Sequence, residues 1–170
     1  MFWFTADTHF NHDGIIEYCN RPFRDIEHMN KILTLRWNER VADGDTIFVV
    51  GDFKFGAAKH FTDIRKELKG NVVLIRGNHD KNNGVPTCIE NIEINTHGKR
   101  IFLTHKPEDA LMVVERYDLA LCGHVHQNWK FQLNLINVGV DVWDFYPVHM
   151  KQILKAYELW LKPKQQKEVA

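Results

Sequence analysis

Val72-Val73-Leu74-Ile75-Arg76-Gly77-Asn78-His79-Asp80 is the stretch that decides the fold. Its aliphatic, mostly β-branched start reads as a buried strand. Gly77 lets the backbone turn sharply, and the turn presents an amide, an imidazole and a carboxylate together. The same grammar recurs on both sides. Upstream, a run at 46–50 leads into Gly51-Asp52, and a run at 2–6 leads into Asp7-Thr8-His9. Downstream, 100–104 delivers His105 directly after Thr104, and 119–122 leads into Gly123-His124-Val125-His126. Further strands are expected at 89–94 and 133–138, with a hairpin turn over 95–99.

Helical patterns separate the early strands. Ile26, Met29, Leu33, Trp37 and Val41 share one helix face, which should end near Asp43-Gly44. Phe61, Ile64 and Leu68 repeat the pattern, with Gly70 as the stop. Residues 108–116 and 150–161 are further helices by the same criterion. Alternating strands and helices predict an α/β architecture, whose sites form where loops leave the carboxyl ends of strands.

Composition bounds the function. The 170 residues fit one domain, expected over 1–161, with a polar tail at 162–170 that should fray. Net charge is zero with neutral His, so the whole-chain field advertises no grip on a long phosphate backbone. Three cysteines, Cys19, Cys88 and Cys122, are an odd number at wide spacings, which points to reduced thiols and a cytoplasmic setting. No Cys-x-x-Cys pair offers a thiolate zinc site. The N-terminus lacks a basic region, and no apolar run approaches the roughly 20 residues of a spanning helix. The unusual count is ten histidines.

Carboxylate oxygen and imidazole nitrogen suit Mn²⁺, Fe²⁺, Co²⁺, Ni²⁺ and Zn²⁺. Asp-x-His and His-x-His place two donors on one side of an extended segment. A single His or Asp after a strand usually serves a turn or a cap. Five such strand ends, in this order, do not reduce to turn chemistry.

With these motifs the chain resembles the calcineurin-like metallophosphoesterase family, marked by D-x-H, G-D, G-N-H-[DE], an isolated H and G-H-x-H. All five occur here in order, as Asp7/His9, Gly51-Asp52, Gly77-Asn78-His79-Asp80, His105 and Gly123-His124-Val125-His126. Asp7-Thr8-His9-Phe10-Asn11-His12 further resembles the start of small phage- and prokaryote-type members. Phe53-Lys54 after Asp52, and Thr104 before His105, depart from many relatives without removing a ligand.

The resemblance implies a four-layer α-β-β-α sandwich of two mixed sheets flanked by helices. It implies two divalent transition-metal ions, Mn²⁺ foremost, with Fe, Ni, Co or Zn as alternatives. Asp7, His9, Asp52 and His126 would hold one ion; Asp52, Asn78, His105 and His124 would hold the other, with Asp52 shared. A metal-bridging hydroxide would attack phosphorus, and His79 would act as general acid with its ring oriented by Asp80. Substrate contact is assigned to His12, to Arg21 as a phosphate fork and to Lys106, each with a solvated surface role as the plain alternative. His28, His60, His97 and His149 are expected on surfaces or turns. Trp129 and Trp143 are expected in packing.

The function that follows is hydrolysis of a small phosphomonoester or phosphodiester, a nucleotide among the options, with the diester favoured. The alternatives are a metal-dependent nuclease or nucleic-acid end-processing phosphatase, and a non-catalytic scaffold. A nuclease should show a basic track; a scaffold should have lost ligands or the acid. Stable nucleic-acid binding and a membrane partner are not expected.

Overall fold

The computed structural model describes residues 1–168, the side chains of 163–168 excepted; the end of the polar tail expected at 162–170 lies outside them. One sheet has the order β3-β2-β1-β9, from β1 (Phe2–Thr5), β2 (Thr46–Val50), β3 (Asn71–Ile75) and β9 (Val148–His149). β1, β2 and β3 run parallel and β9 antiparallel to β1. The other has the order β4-β5-β6-β8-β7, from β4 (Asn91–Thr96), β5 (Lys99–Thr104), β6 (Leu119–Cys122), β7 (Phe131–Gln132) and β8 (Leu135–Asn137). Its pairings are parallel from β5 through β6 to β8 and antiparallel at both edges.

Period-two alternation sets the layers. Phe4, Phe48, Val50 and Ile75 from the first sheet meet Ile101, Leu103, Leu119, Leu121 and Ile136 from the second in one inner core. Their neighbours Trp3, Ile47 and Val49 point outward, against α1 (Gly14–Tyr18), α2 (Ile26–Arg40) and α3 (Phe61–Glu67) through Ile15, Met29, Leu33, Trp37 and Ile64. Phe102, Ala120 and Leu135 face the opposite way, against Ala110 of α4 (Pro107–Leu111). This is the four-layer sandwich. Each large apolar side chain so enclosed contributes about 1.5–3 kcal/mol, enough to fix strand register.

α5 (Met150–Glu168) joins the layers at one edge. Met150 and Ile153 enter the inner core, and the Tyr157 hydroxyl donates to the Leu133 carbonyl at 2.7 Å. Among the described residues, no helix is long and apolar enough to cross a membrane.

Several elements differ from expectation. The strand read at 133–138 is a hairpin, β7 and β8, with Leu133 at its turn in a left-handed conformation at φ 53°. The helix read at 108–116 stops at Leu111 and resumes only as a 3₁₀ turn, Val114–Arg116. The strand read at 89–94 starts later, at Asn91. α5 continues beyond 161, and α1 and β9 had no sequence signal.

Candidate metal centre

Loop backbones continue the sheet past its strands and bring their side chains to one point. The amides of Asp7 and His9 donate to the carbonyls of Gly51 and Asp52, each at 3.0 Å, and the Gly123 amide donates to His105 at 3.0 Å. An isolated bridge between Ala6 and Gly139 ties the two sheets together there. Asp7, His9, Asp52, His124 and His126 all hold positive φ, from 47° to 71°. Non-glycine residues seldom do so, and each instance costs about 1–3 kcal/mol that the surrounding fold must offset. Two glycines make room. A Cβ on Gly77 would lie 2.0 Å from Asp52 Oδ1, and one on Gly123 would lie 2.5 Å from Asp7 Oδ2.

Asp52 is the hub. Its Oδ1 accepts the His79 amide at 3.0 Å. Its Oδ2 lies 3.4 Å from His105 Nε2, 3.6 Å from His9 Nε2 and 3.9 Å from His79 Nε2. Both oxygens of the fully buried Asp7 accept the His124 amide, at 3.1 and 2.9 Å. Two of the three groups of donor atoms that lie mutually within 4.8 Å among the described residues share Asp7: Asp7, His9 and His126, and Asp7, Asp52 and His105. Asn78 Oδ1 is 3.0 Å from His105 Nε2, and the His124 ring centre is 5.2 Å from that of His105. All seven residues assigned to metal by resemblance therefore lie at one place. By proximity Asp7 is common to both groups, while Asp52 Oδ2 lies among the imidazoles.

The residues fit bound metal. His9 Nε2 is buried with no hydrogen-bond partner. Such an orphan costs about 1–3 kcal/mol, which a cation would offset. Burial also pushes the His9 imidazole down to about 2, keeping it neutral, as a ligand must be. The other rings are oriented from behind. His105 Nδ1 faces the Val50 carbonyl at 2.9 Å, and His126 Nδ1 faces Asp141 Oδ2 at 2.9 Å, so each ring is held with its opposite nitrogen turned toward the other candidate ligands.

Charges are coupled. Burial raises the Asp7 carboxyl to about 6. Burial opposes charge on His105, yet the Asp52 hydrogen bond and the Asp7 charge raise it to about 9. Burial likewise opposes charge on His126, yet the Asp141 carboxylate that its ring donates to, with Cys19 beside it, raises it to about 10. Burial would raise Asp52, but the His105 hydrogen bond and the nearby imidazole charges hold it well below the usual carboxylate range.

Two assignments are corrected. Asp80 does not orient the His79 ring. Its Oδ2 accepts the amides of Asp52 at 2.9 Å and Gly77 at 2.7 Å, and its Oδ1 accepts the amide of Phe53 at 2.9 Å. It pins the Asp52 loop to the Asn78 loop instead. Arg21 is not a phosphate fork. Its buried guanidinium grips Asp141 at 2.8 and 3.0 Å and donates to the carbonyls of Asp7 and Thr8 at 2.7 and 3.1 Å. His12 stays at the centre, with Nδ1 3.3 Å from His9 Nδ1 and its ring stacked on Phe55 at 4.0 Å.

Two clefts flank the centre. One, of about 390 Å³, is lined by His12, Tyr18, Cys19, His79, His124 and His126 among others. The other, of about 270 Å³, is lined by Asn78, Lys81, His105 and Lys106 among others. Asp141 was missed in the sequence. Its signal was Gly139-Val140-Asp141, a further strand end of the same type after β8.

A family model described as the calcineurin-like phosphoesterase superfamily domain matches residues 3–143. An uncharacterized protein of Methanocaldococcus jannaschii is 37% identical over 163 residues, covering 90% of this chain and 89% of its own length. The crystal structure of a protein of unknown function from Aquifex aeolicus aligns with a TM-score of 0.74 at 25% identity, covering 92% of this chain and 98% of that one. A Vps29 variant from Entamoeba histolytica aligns with a TM-score of 0.50 at 19% identity, covering 80% of this chain and 72% of that one, a likeness of fold alone. With the motifs gathered at one point and the model matched over most of its length, the chain belongs to the calcineurin-like phosphoesterase superfamily.

Proposed function

We propose that the chain is a phosphodiesterase working through two divalent transition-metal ions, Mn²⁺ first among them. The observation that carries this is Asp52: one oxygen is tied to a backbone amide, and the other lies within 3.9 Å of three imidazole nitrogens from separate loops. Asp7, His9 and His126 would complete one site and Asn78, His105 and His124 the other, with Asp52 shared. When bound, the ions would supply charge stabilisation on the phosphate oxygens and an acidified water.

The protein's own contribution is positioning and proton transfer. His79 is the most accessible of the three imidazoles around Asp52, its side chain 41% accessible, and it lines the larger cleft. A ring so placed is free to give a proton to the departing oxygen. Two separate clefts, one reaching His79 and His124 and the other Asn78 and His105, would give each substituent of a diester its own place, which favours diesters over monoesters.

The test is kcat/KM for bis-aryl against mono-aryl phosphates under Mn²⁺, with short oligonucleotides as a further arm. Diester preference is expected. A large monoester preference overturns the diester assignment, oligonucleotide preference points to the nuclease, and no turnover with any of the five metals leaves the scaffold.

A further inference from the structure

Cys19 closes α1 beside the larger cleft, and no part of the proposed reaction uses it. Its sulfur, a nitrogen of His126 and an oxygen of Asp141 lie mutually within 4.8 Å. None of the three is loosely held. The Cys19 amide donates to the Ile15 carbonyl at 3.0 Å, and Asn20 then turns the chain with φ 47°. The next residue, Arg21, clamps both oxygens of Asp141, one of which also faces His126 Nδ1. A thiol is thus built against an imidazole–carboxylate pair already in place, half-buried but open to the cleft.

We propose that Cys19, His126 and Asp141 form an additional cation site, selective for thiophilic ions such as Zn²⁺ or Cd²⁺, whose occupation inhibits the enzyme. The donor set differs from the neighbouring centre in one respect, the sulfur. Thiolate favours soft ions, while Mn²⁺ and Mg²⁺ prefer oxygen. A bound ion takes the place of two protons, the thiol proton and the one between His126 and Asp141, and both pass to solvent. His126 is common to this site and the catalytic one. An ion between it and Asp141 removes the carboxylate that orients the ring, and the loss of such support typically costs 10–100-fold in metal affinity or activity. The inhibitory half of the proposal rests on the function proposed above; the binding half does not.

The experiment titrates Cd²⁺ into Mn²⁺-loaded protein while following the ultraviolet cadmium–thiolate absorbance and, in parallel, diester hydrolysis. One Cd²⁺ per chain should produce the band in the parent protein and in Cys88→Ser, and Cys19→Ser should lack it. Hydrolysis should fall by about 10–100-fold in the parent, while Cys19→Ser keeps its own Cd²⁺-free rate. A band that survives in Cys19→Ser overturns the site. Equal inhibition of both proteins, with the band confined to the parent, overturns the inhibitory role. If the protein hydrolyses no diester, the absorbance still decides whether the site exists.

Discussion

β2 begins just after one aspartate and ends just before another. Asp45 and Asp52 are both buried, but their surroundings differ in kind. Asp45 is saturated. Its Oδ1 accepts the Met1 ammonium at 2.6 Å, and its Oδ2 accepts the Trp3 indole at 2.9 Å and the Ala42 amide at 3.0 Å. The Met1 ammonium and the Ala42 amide lower its carboxyl to about 2. Asp52 has one oxygen satisfied and the other facing imidazoles, on a left-handed backbone. Burial alone does not separate a structural acid from a chemical one; the nature of the partners does.

Substituting the two aspartates is the harshest trial of that contrast. Asp52→Asn should lose both metals and about 10³-fold or more in turnover, since charge stabilisation by the ions is the dominant contribution. Asp45→Asn should keep two ions and its kcat while losing about 2 kcal/mol of stability, a fall of about 4–8 °C in Tm. Elemental analysis, kinetics and thermal melts check both. Loss of metal in Asp45→Asn would erase the distinction.

His79→Ala should retain both ions and slow turnover by about 10²–10⁴-fold for an alkoxide leaving group, with a much smaller penalty for p-nitrophenolate. Equal slowing for both would reject the acid role. Asp80→Asn sharpens the point. Because Asp80 binds backbone and not the His79 ring, its loss should weaken metal binding and lower turnover about 10–100-fold for both leaving groups alike. A leaving-group dependence like that of His79→Ala would restore the orienting role.

The smallest effect is in pH. In metal-free protein, His105 and His126 titrate near 9 and 10, above the ordinary 6.5. Their stabilisation is complete below 6.5 and lost as pH rises through 9–10. Asp45 titrates below the ordinary carboxylate value, so its contribution is present above 3.8 and lost as pH falls toward 2. Melts of chelated protein should therefore weaken at alkaline pH through His105 and His126, and at acid pH through Asp45 together with Asp52. Restoring Mn²⁺ should abolish only the alkaline loss, because metal replaces the protons. An alkaline loss unchanged by Mn²⁺ would detach it from these histidines.

The residues that gather at the candidate site were legible because each loop announces itself by a strand end and, at three of them, a glycine that admits close approach. The layers were legible from alternation in runs such as 46–50. What failed were side-chain directions across distance. Asp80 follows His79 in sequence, yet it opens a 3₁₀ turn, Asp80–Asn83, that aims its carboxylate back at the Asp52 amide. Arg21 read as a phosphate fork or a solvated cation because its acid, Asp141, lies far along the chain. The hairpin at Leu133 lacks a glycine, and a left-handed leucine carries no compositional mark. β9 spans two residues, too few for any periodicity to show.

That short strand has a consequence for how the molecule assembles. β9 pairs Trp3 with His149 and Phe4 with Val148, so β1 finds one of its neighbours only after β2 to β8 have left the ribosome. Closing so long a loop is slow more than it is costly, since each doubling of length adds only about 0.6 kcal/mol. Every residue of the metal centre, from Asp7 to Asp141, emerges earlier. The site can therefore gather while one edge of β1 still lies open, and a nascent chain halted before Val148 presents that edge as a template for aggregation.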